Sequence, residues 1–290
     1  MHNVNVMVFA PHADDAAAFC GGTLAKWSAN GWNIILIRVT DDARDSVGLT
    51  MEETKRRNRA ELEKSCSILG IKEIVDLDFP TDTLADIPLT KLRERFVYLI
   101  RKYKPYAIFS FDPYAHFEPN MDHIRVARAV EEALWVSCFD LHHPEHFKEG
   151  LEPFSVCERW YFARNLEKIT YAEDITEFFP NRVQALSAHE TMMRNILNQF
   201  RLQLKTWGYR VSVIEEAYSG DYSGLLEQVI YMQCSQIAEE CGMPEGTLAE
   251  GFRIDRFGDM EAFFQQFAEP LEDVPQGPKR PFFDKYWPDE

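Results

Sequence analysis

Short apolar runs alternate with longer amphipathic stretches through the first half of the chain. Residues 4–10 (VNVMVFA) form an apolar run rich in β-branched side chains, which predicts a first strand. A sharp turn and a helical stretch over residues 16–29 follow. Residues 33–40 (NIILIRVT) are apolar almost without interruption, the pattern of a parallel strand covered on both faces. Residues 52–69 read as a helix stopped by Gly70, whose tolerance of left-handed backbone suits a helix end. Residues 74–79 predict a third strand, residues 89–103 a helix, and residues 106–111 (YAIFSF) a fourth strand. Residues 122–136 then predict a helix with an acidic residue at its start.

Strands alternating with helices imply right-handed βαβ units and an α/β fold, a Rossmann-like, doubly wound, mostly parallel sheet with helices on both faces. If the strand order is 3-2-1-4-5, strands one and four are neighbours. The crevice between their carboxyl ends is then the point where such sheets bind ligands. Beyond residue 150 the alternation weakens. Residues 156–163 (VCERWYFA) are one more strand candidate, and residues 180–206 and 224–240 are long helical patterns. The expected organisation is a Rossmann-like metal-binding core over residues 1–165, a helical continuation of the same domain over 166–269, and an extended, Pro-rich C-terminal arm over 270–290.

Composition narrows the function. With 46% hydrophobic and 27% charged residues, the 290-residue chain has the make-up of a globular protein. No apolar run approaches the ~20 residues that span a bilayer, so no membrane partner is expected. The start, MHNVNVMVFAPHADD, lacks a basic region before its apolar stretch and reads as a strand rather than a signal peptide. A net charge of −16 argues against nucleic acid, because no general basic field replaces phosphate counterions. Neutral or cationic small molecules, or a bound cation, are the easier partners. Six scattered cysteines without a CxxC pair read as reduced thiols of a cytoplasmic protein.

The chemistry concentrates at the predicted crevice. Pro11-His12-Ala13-Asp14-Asp15 offers an imidazole and two carboxylates in the turn out of strand one, and Asp122 and His123 follow strand four. A His/carboxylate set suits zinc, and a catalytic zinc takes three protein ligands while leaving one position open. His12 and Asp15 can face one ion, and His123 is the best placed of the eight histidines to complete the set. Asp14 would then stand beside the activated water as general base. Asp122 reads as a helix N-cap or a partner orienting a ligand histidine. His142, His143 and His146 read as a solvated loop rather than a second metal site. Gly21 and Gly22 read as close helix packing, and the Phe residues near 262–267 and 282–283 as core or subunit contacts, which makes a homo-oligomer plausible.

The stretch VMVFAPHADDAAAFCGGTLAKW resembles the AHPDDE-x-x-x-x-GGTLA signature of the PIG-L/LmbE-like N-acetylglucosaminyl deacetylase family. Residues 120–130 (NMDHIRVARAV) resemble its second signature, HPDHRAVGRAV. RAELEKSCSILGIKEIVDLDFPTDTL, DITEFFPNRVQALSAHE and AEGFR follow further family segments in order, so the likeness spans roughly residues 4–255. It implies zinc-dependent hydrolysis (another divalent metal is possible) of the N-acetyl group of a GlcNAc-type sugar or glycoconjugate. By position it implies His12, Asp15 and His123 as metal ligands and Asp14 as base.

The chain departs from the pattern at one chemically important place. The histidine that opens the second signature, which stabilises the oxyanion or protonates the leaving amine, is Asn120 here. Asn can donate a hydrogen bond but cannot deliver a proton, so either Asp14 returns its proton to the amine or His116 substitutes. Asp41, Asp82 and Glu118 are expected near the pocket, Arg57 (beside Asn58) where related enzymes place a substrate-binding arginine, and His189 as a packing or substrate-side histidine. Two other functions stay open on this scaffold: a metal-dependent hydratase of a small keto acid, and a non-catalytic sugar-binding relative.

Overall fold

The computed structural model describes residues 4–272 and residue 277 of the chain. Seven strands form one sheet in the order β3-β2-β1-β4-β5-β7-β6. Five of them, β1 (Asn5–Ala10), β2 (Asn33–Thr40), β3 (Glu73–Phe79), β4 (Ala107–Phe111) and β5 (Glu158–Phe162), run parallel. The expected order 3-2-1-4-5 is therefore the order found. Two strands of the second half extend the sheet: β7 (Ala249–Asp255) lies antiparallel to β5, and β6 (Tyr171–Asp174) antiparallel to β7. Residues 166–269, read from the sequence as helical, thus also complete the sheet.

Alternation along the central strands divides the core into two layers. Val6, Val8, Leu36 and Phe109 face α1 (Asp15–Ala29), α2 (Met51–Leu69), α5 (Phe179–Ser187) and α8 (Ser223–Glu240), while Met7, Phe9, Ile35 and Ile108 face α3 (Leu89–Tyr103) and α4 (Met121–Val136). Trp160 fills the first layer without any exposure, edge-on to Trp27 and stacked on Phe109.

The helical pattern over residues 180–206 is two helices, not one. α5 ends at Ser187, and α6 (Glu190–Trp207) starts after His189, whose ψ of 59° is not helical. The break is held from α2, where Glu61 accepts both the backbone N–H and the hydroxyl of Thr191. α7 (Ser212–Ser219) and α9 (Glu261–Phe267) complete the described helices. Phe263, Phe264 and Phe267 of α9 are exposed rather than core. The expected arm over 270–290 lies almost wholly outside the described residues, as do Phe282 and Phe283. Among the described residues no helix is long and apolar enough to cross a membrane.

α1 carries its own correction. It kinks at Cys20 (φ −144°), and the two N–H groups freed there, Gly22 and Thr23, donate to the Glu250 carboxylate of β7 at 2.9 and 2.8 Å. A Cβ on Gly22 would lie 2.6 Å from Ile175 Cδ1. Gly22 is therefore a close-approach glycine, as its place in the helix suggested. The kink and its cap fix the direction in which α1 leaves the end of β1.

Candidate metal centre

β1 and β4 are adjacent, with Val6 paired to Ala107, so their carboxyl ends open side by side. The turn out of β1 brings His12, Asp14 and Asp15 to that crevice, and the start of α4 brings His123. His12 Nδ1 and His123 Nε2 are 3.1 Å apart, His123 Nε2 lies 3.4 Å from Asp15 Oδ1, and His12 Nδ1 lies 3.5 Å from Asp15 Oδ2. Three donors each ~2.0–2.1 Å from a tetrahedral ion stand about 3.3 Å from one another. Measured to the nearer Asp15 oxygen for each histidine, the triad comes close to the spacing of a four-coordinate site with one position open. All three residues are buried.

The far nitrogens of both rings point at carboxylates, as in ligating histidines whose orientation is fixed from behind. His12 Nε2 faces Asp122 Oδ2 at 3.5 Å, and His123 Nδ1 faces Glu118 Oε1 at 3.1 Å. Asp122 is itself held by the backbone N–H groups of Asp82 and Leu84. The Phe111 ring stacks on His123 with centroids 3.9 Å apart.

The electrostatics match a cation site. Burial opposes charge on His12, but Asp122 and Asp15 outweigh it and raise its pKa well above the usual value. His123 is raised likewise, against burial, by Asp15 and Glu118. Burial also works on Asp15, yet the two histidines hold its carboxyl well below the usual range. The surrounding carboxylates thus favour positive charge at the two rings, the place a divalent ion would take in exchange for protons. Asp14, buried beside the triad, is pushed up to about 7 by burial and by the charge of Asp15. Asp45, which the sequence did not single out, rises to about 6 through burial, and its other electrostatic neighbours include His12, Asp82, Asp15 and Asp122.

Residues 7–134 match the family model described as PIG-L, GlcNAc-PI de-N-acetylase. The chain is 28% identical over 189 residues to a diacetylchitobiose deacetylase of Thermococcus kodakarensis, covering 64% of this chain and 69% of that one. Together the two matches support a place for the chain in the PIG-L/LmbE-like family. Its fold is that of the N,N'-diacetylchitobiose deacetylase of Pyrococcus horikoshii, with a TM-score of 0.70 at 23% identity over 93% of this chain and 88% of that one. It is also that of a 4-carboxy-2-hydroxymuconate hydratase of Pseudomonas putida, with a TM-score of 0.62 at 14% identity over 94% and 100%.

The remaining candidates divide. Asn120 is the N-cap of α4: its Oδ1 accepts the N–H groups of Asp122 and His123 at 2.9 and 3.4 Å. The cap is therefore Asn120, not Asp122, and Asp122 takes the orienting role instead. Asp82 sits at the rim, its backbone N–H on Asp122 and its charge acting on Asp45. Asp41 is a loop brace, accepting from Ala43 and Thr81 and paired with Lys55 at 2.7 Å.

Arg57 and His116 stand apart from the triad, and His189 is a packing histidine, the first of its two expected roles. Arg57 projects from the outer face of α2 onto Glu53 at 2.7 Å, and the buried residue beside it is Asn58, which donates to the Asp42 carbonyl. His116 is exposed and faces Glu167 at 3.5 Å. His189, at 1% exposure, offers a substrate no surface, and the one charge it feels is Asp15. The histidine-rich segment also differs from its reading: His146 is buried, and both ring nitrogens are committed, to Arg101 at 3.2 Å and Glu94 at 3.0 Å. His143, Glu145 and His146 stand close enough to share an ion, but the Arg101 guanidinium already occupies one nitrogen of His146.

Proposed function

We propose that this chain is a zinc-dependent deacetylase that hydrolyses the N-acetyl amide of a GlcNAc-type sugar or glycoconjugate. The observation that carries the reading is the pairing of a His12–Asp15–His123 triad at tetrahedral spacing with a buried carboxyl, Asp14, beside it that is not needed as a ligand. Zinc held by the triad supplies a Lewis acid for the amide carbonyl and acidifies water to near neutrality.

The chain's own residues do the rest. Asp14 takes a proton from the attacking water and returns it to the leaving nitrogen as the C–N bond breaks, giving acetate and an amine. Asp14, buried beside the triad, is the carboxyl placed to serve both steps, since Asn120 cannot supply a proton. With Oδ1 committed to the helix, Asn120 has only its amide hydrogens to offer a developing oxyanion. Glu118 and Asp122 keep the two histidines turned toward the ion.

The carboxylates around the site, Asp14, Asp45, Asp82 and Asp122, disfavour the dicarboxylate that a hydratase would have to admit. They suit a neutral sugar and a cationic amine product. Free cysteines at all six positions support a reducing, cytoplasmic setting. Turnover of N-acetylglucosamine and N,N'-diacetylchitobiose, followed by acetate release, tests the reading. Activity is expected to vanish on chelation and return with zinc. Turnover that survives chelation, or none on any N-acetyl sugar, would overturn it.

A further inference from the structure

The turn that carries two of the three ligands is held from outside, by the exit of β2. Thr40 donates both its backbone N–H (3.0 Å) and its hydroxyl (2.8 Å) to the carbonyl of Pro11, the residue before His12. Asp42 Oδ1 accepts the N–H of Ala13, the residue after it, at 3.1 Å. His12's own N–H is taken by Asp15 Oδ2 at 2.8 Å. Three consecutive residues of the turn therefore have backbone groups fixed. Two of the anchors come from a strand that contributes no ligand.

Asp42 is built for this. It is 1% exposed and sits at φ +51°, a left-handed conformation that aspartate tolerates better than most residues and alanine does not. Its carbonyl accepts Asn58 Nδ2, and its Oδ2 meets Arg38 Nη1 at 3.2 Å, which only partly offsets the burial that pushes the Asp42 carboxyl up to about 8. Arg38 continues to Asp76 and Asp78 at 2.7 and 2.9 Å. A continuous polar line thus runs from β3 through Arg38 and Asp42 to the peptide between His12 and Asp14.

We infer that Asp42 is a positioning residue for the metal centre, fixing the His12–Asp15 turn in its ligating shape before the ion arrives. The inference rests on the metal reading above but not on the identity of the substrate. Zinc affinity, measured by competition with a chelator, and the visible spectrum of the Co²⁺-substituted protein test it without substrate.

Asp42→Ala and Asp42→Asn both lose the carboxylate beside Arg38, and alanine, ill-suited to the left-handed backbone here, should be the less stable of the two, so zinc affinity is read on folded protein below each variant's melting range. Only alanine loses the acceptor for Ala13 N–H. Asp42→Ala is expected to bind zinc at least tenfold more weakly, in line with other residues that support ligands, and to show weakened tetrahedral cobalt bands. Asp42→Asn should stay within about threefold of wild type. If Asp42→Ala does not fold, Asp42→Ser, whose hydroxyl is too short to reach Ala13, takes its place with the same expectation. Equal affinities in wild type, alanine (or serine) and asparagine forms would overturn the inference while leaving the metal reading intact. A wild-type protein that holds no zinc would overturn both.

Discussion

One oxygen of Glu118, Oε1, serves two neighbours: it lies 3.1 Å from Nδ1 of His123 and accepts the backbone N–H of Asn120 at 3.0 Å. The carboxylate thus ties the loop before α4 to a metal ligand on α4. Arg164 Nε approaches its other oxygen at 3.4 Å. Removing it frees the imidazole to rotate and lowers its basicity. Glu118→Ala is expected to weaken zinc binding 10- to 100-fold, with Glu118→Gln in between, as read by chelator competition. Unchanged affinity in Glu118→Ala would show that His123 is oriented by its stacking on Phe111 alone.

Asp14 and Asp15 are adjacent in sequence, and the proposed function gives them opposite roles. Asp15 faces both histidines, whereas Asp14 stands beside the triad. Asp14→Ala should retain stoichiometric zinc and lose turnover by a factor of ~10² or more, the usual scale of general-base catalysis. Asp15→Ala should lose metal and turnover together. Metal analysis beside a rate assay separates the two. Full metal content in Asp15→Ala would reverse the assignment.

The parallel half of the sheet was legible because β1, β2 and β4 are buried on both faces and read as apolar runs, and because helices with clear stops lie between its strands. The meeting of His12, Asp15 and His123 was legible because strands one and four are central neighbours, so the residues after them come together. β6 and β7 were not. Tyr171–Asp174 reads YAED and Ala249–Asp255 reads AEGFRID, too polar to stand out, because Glu250 is turned inward to cap the kink in α1 and Glu173 to bind Lys26. Arg57 misled because exposure is not written in residue type. Asp42 was hidden since its task is a single hydrogen bond to a backbone distant in sequence.

Asn120 stabilises the protein through its cap as well as through any part in catalysis. Its carbonyl satisfies two N–H groups that the first turn of α4 leaves without helical partners. Asn120→Ala should cost about 1 kcal/mol of unfolding free energy, while Asn120→Asp, an equally good cap, should cost much less. Urea denaturation of the metal-free protein measures both. Equal loss in the two variants would mean that the cap contributes nothing.

Gly22 tests the packing that aims α1. A methyl group there would meet the Ile175 side chain at 2.6–3.0 Å, inside van der Waals contact. Ile175 is fully buried and cannot withdraw freely. Gly22→Ala is therefore expected to destabilise by about 1–3 kcal/mol, despite alanine's better helix propensity. A stabilised variant in thermal denaturation would show that Ile175 yields.

His189 gives the fold an acid limit of its own. Burial depresses its pKa to about 4, only partly offset by the charge of Asp15. In the unfolded chain the same imidazole titrates near ~6.5, so as pH falls the unfolded state takes up the proton first. The stabilisation from keeping His189 neutral is complete above pH ~6.5 and is lost progressively down to about 4, on the order of 3 kcal/mol over the whole interval. Buried acids with raised values, such as Asp45, act in the opposite direction, so the wild-type curve alone does not isolate the histidine. His189→Gln does, since it keeps a polar side chain and removes the titration. Urea unfolding of the metal-free proteins between pH 7.5 and 4.5 should show wild type losing stability more steeply than the variant. Parallel curves would mean that His189 is already solvated or paired in the folded chain.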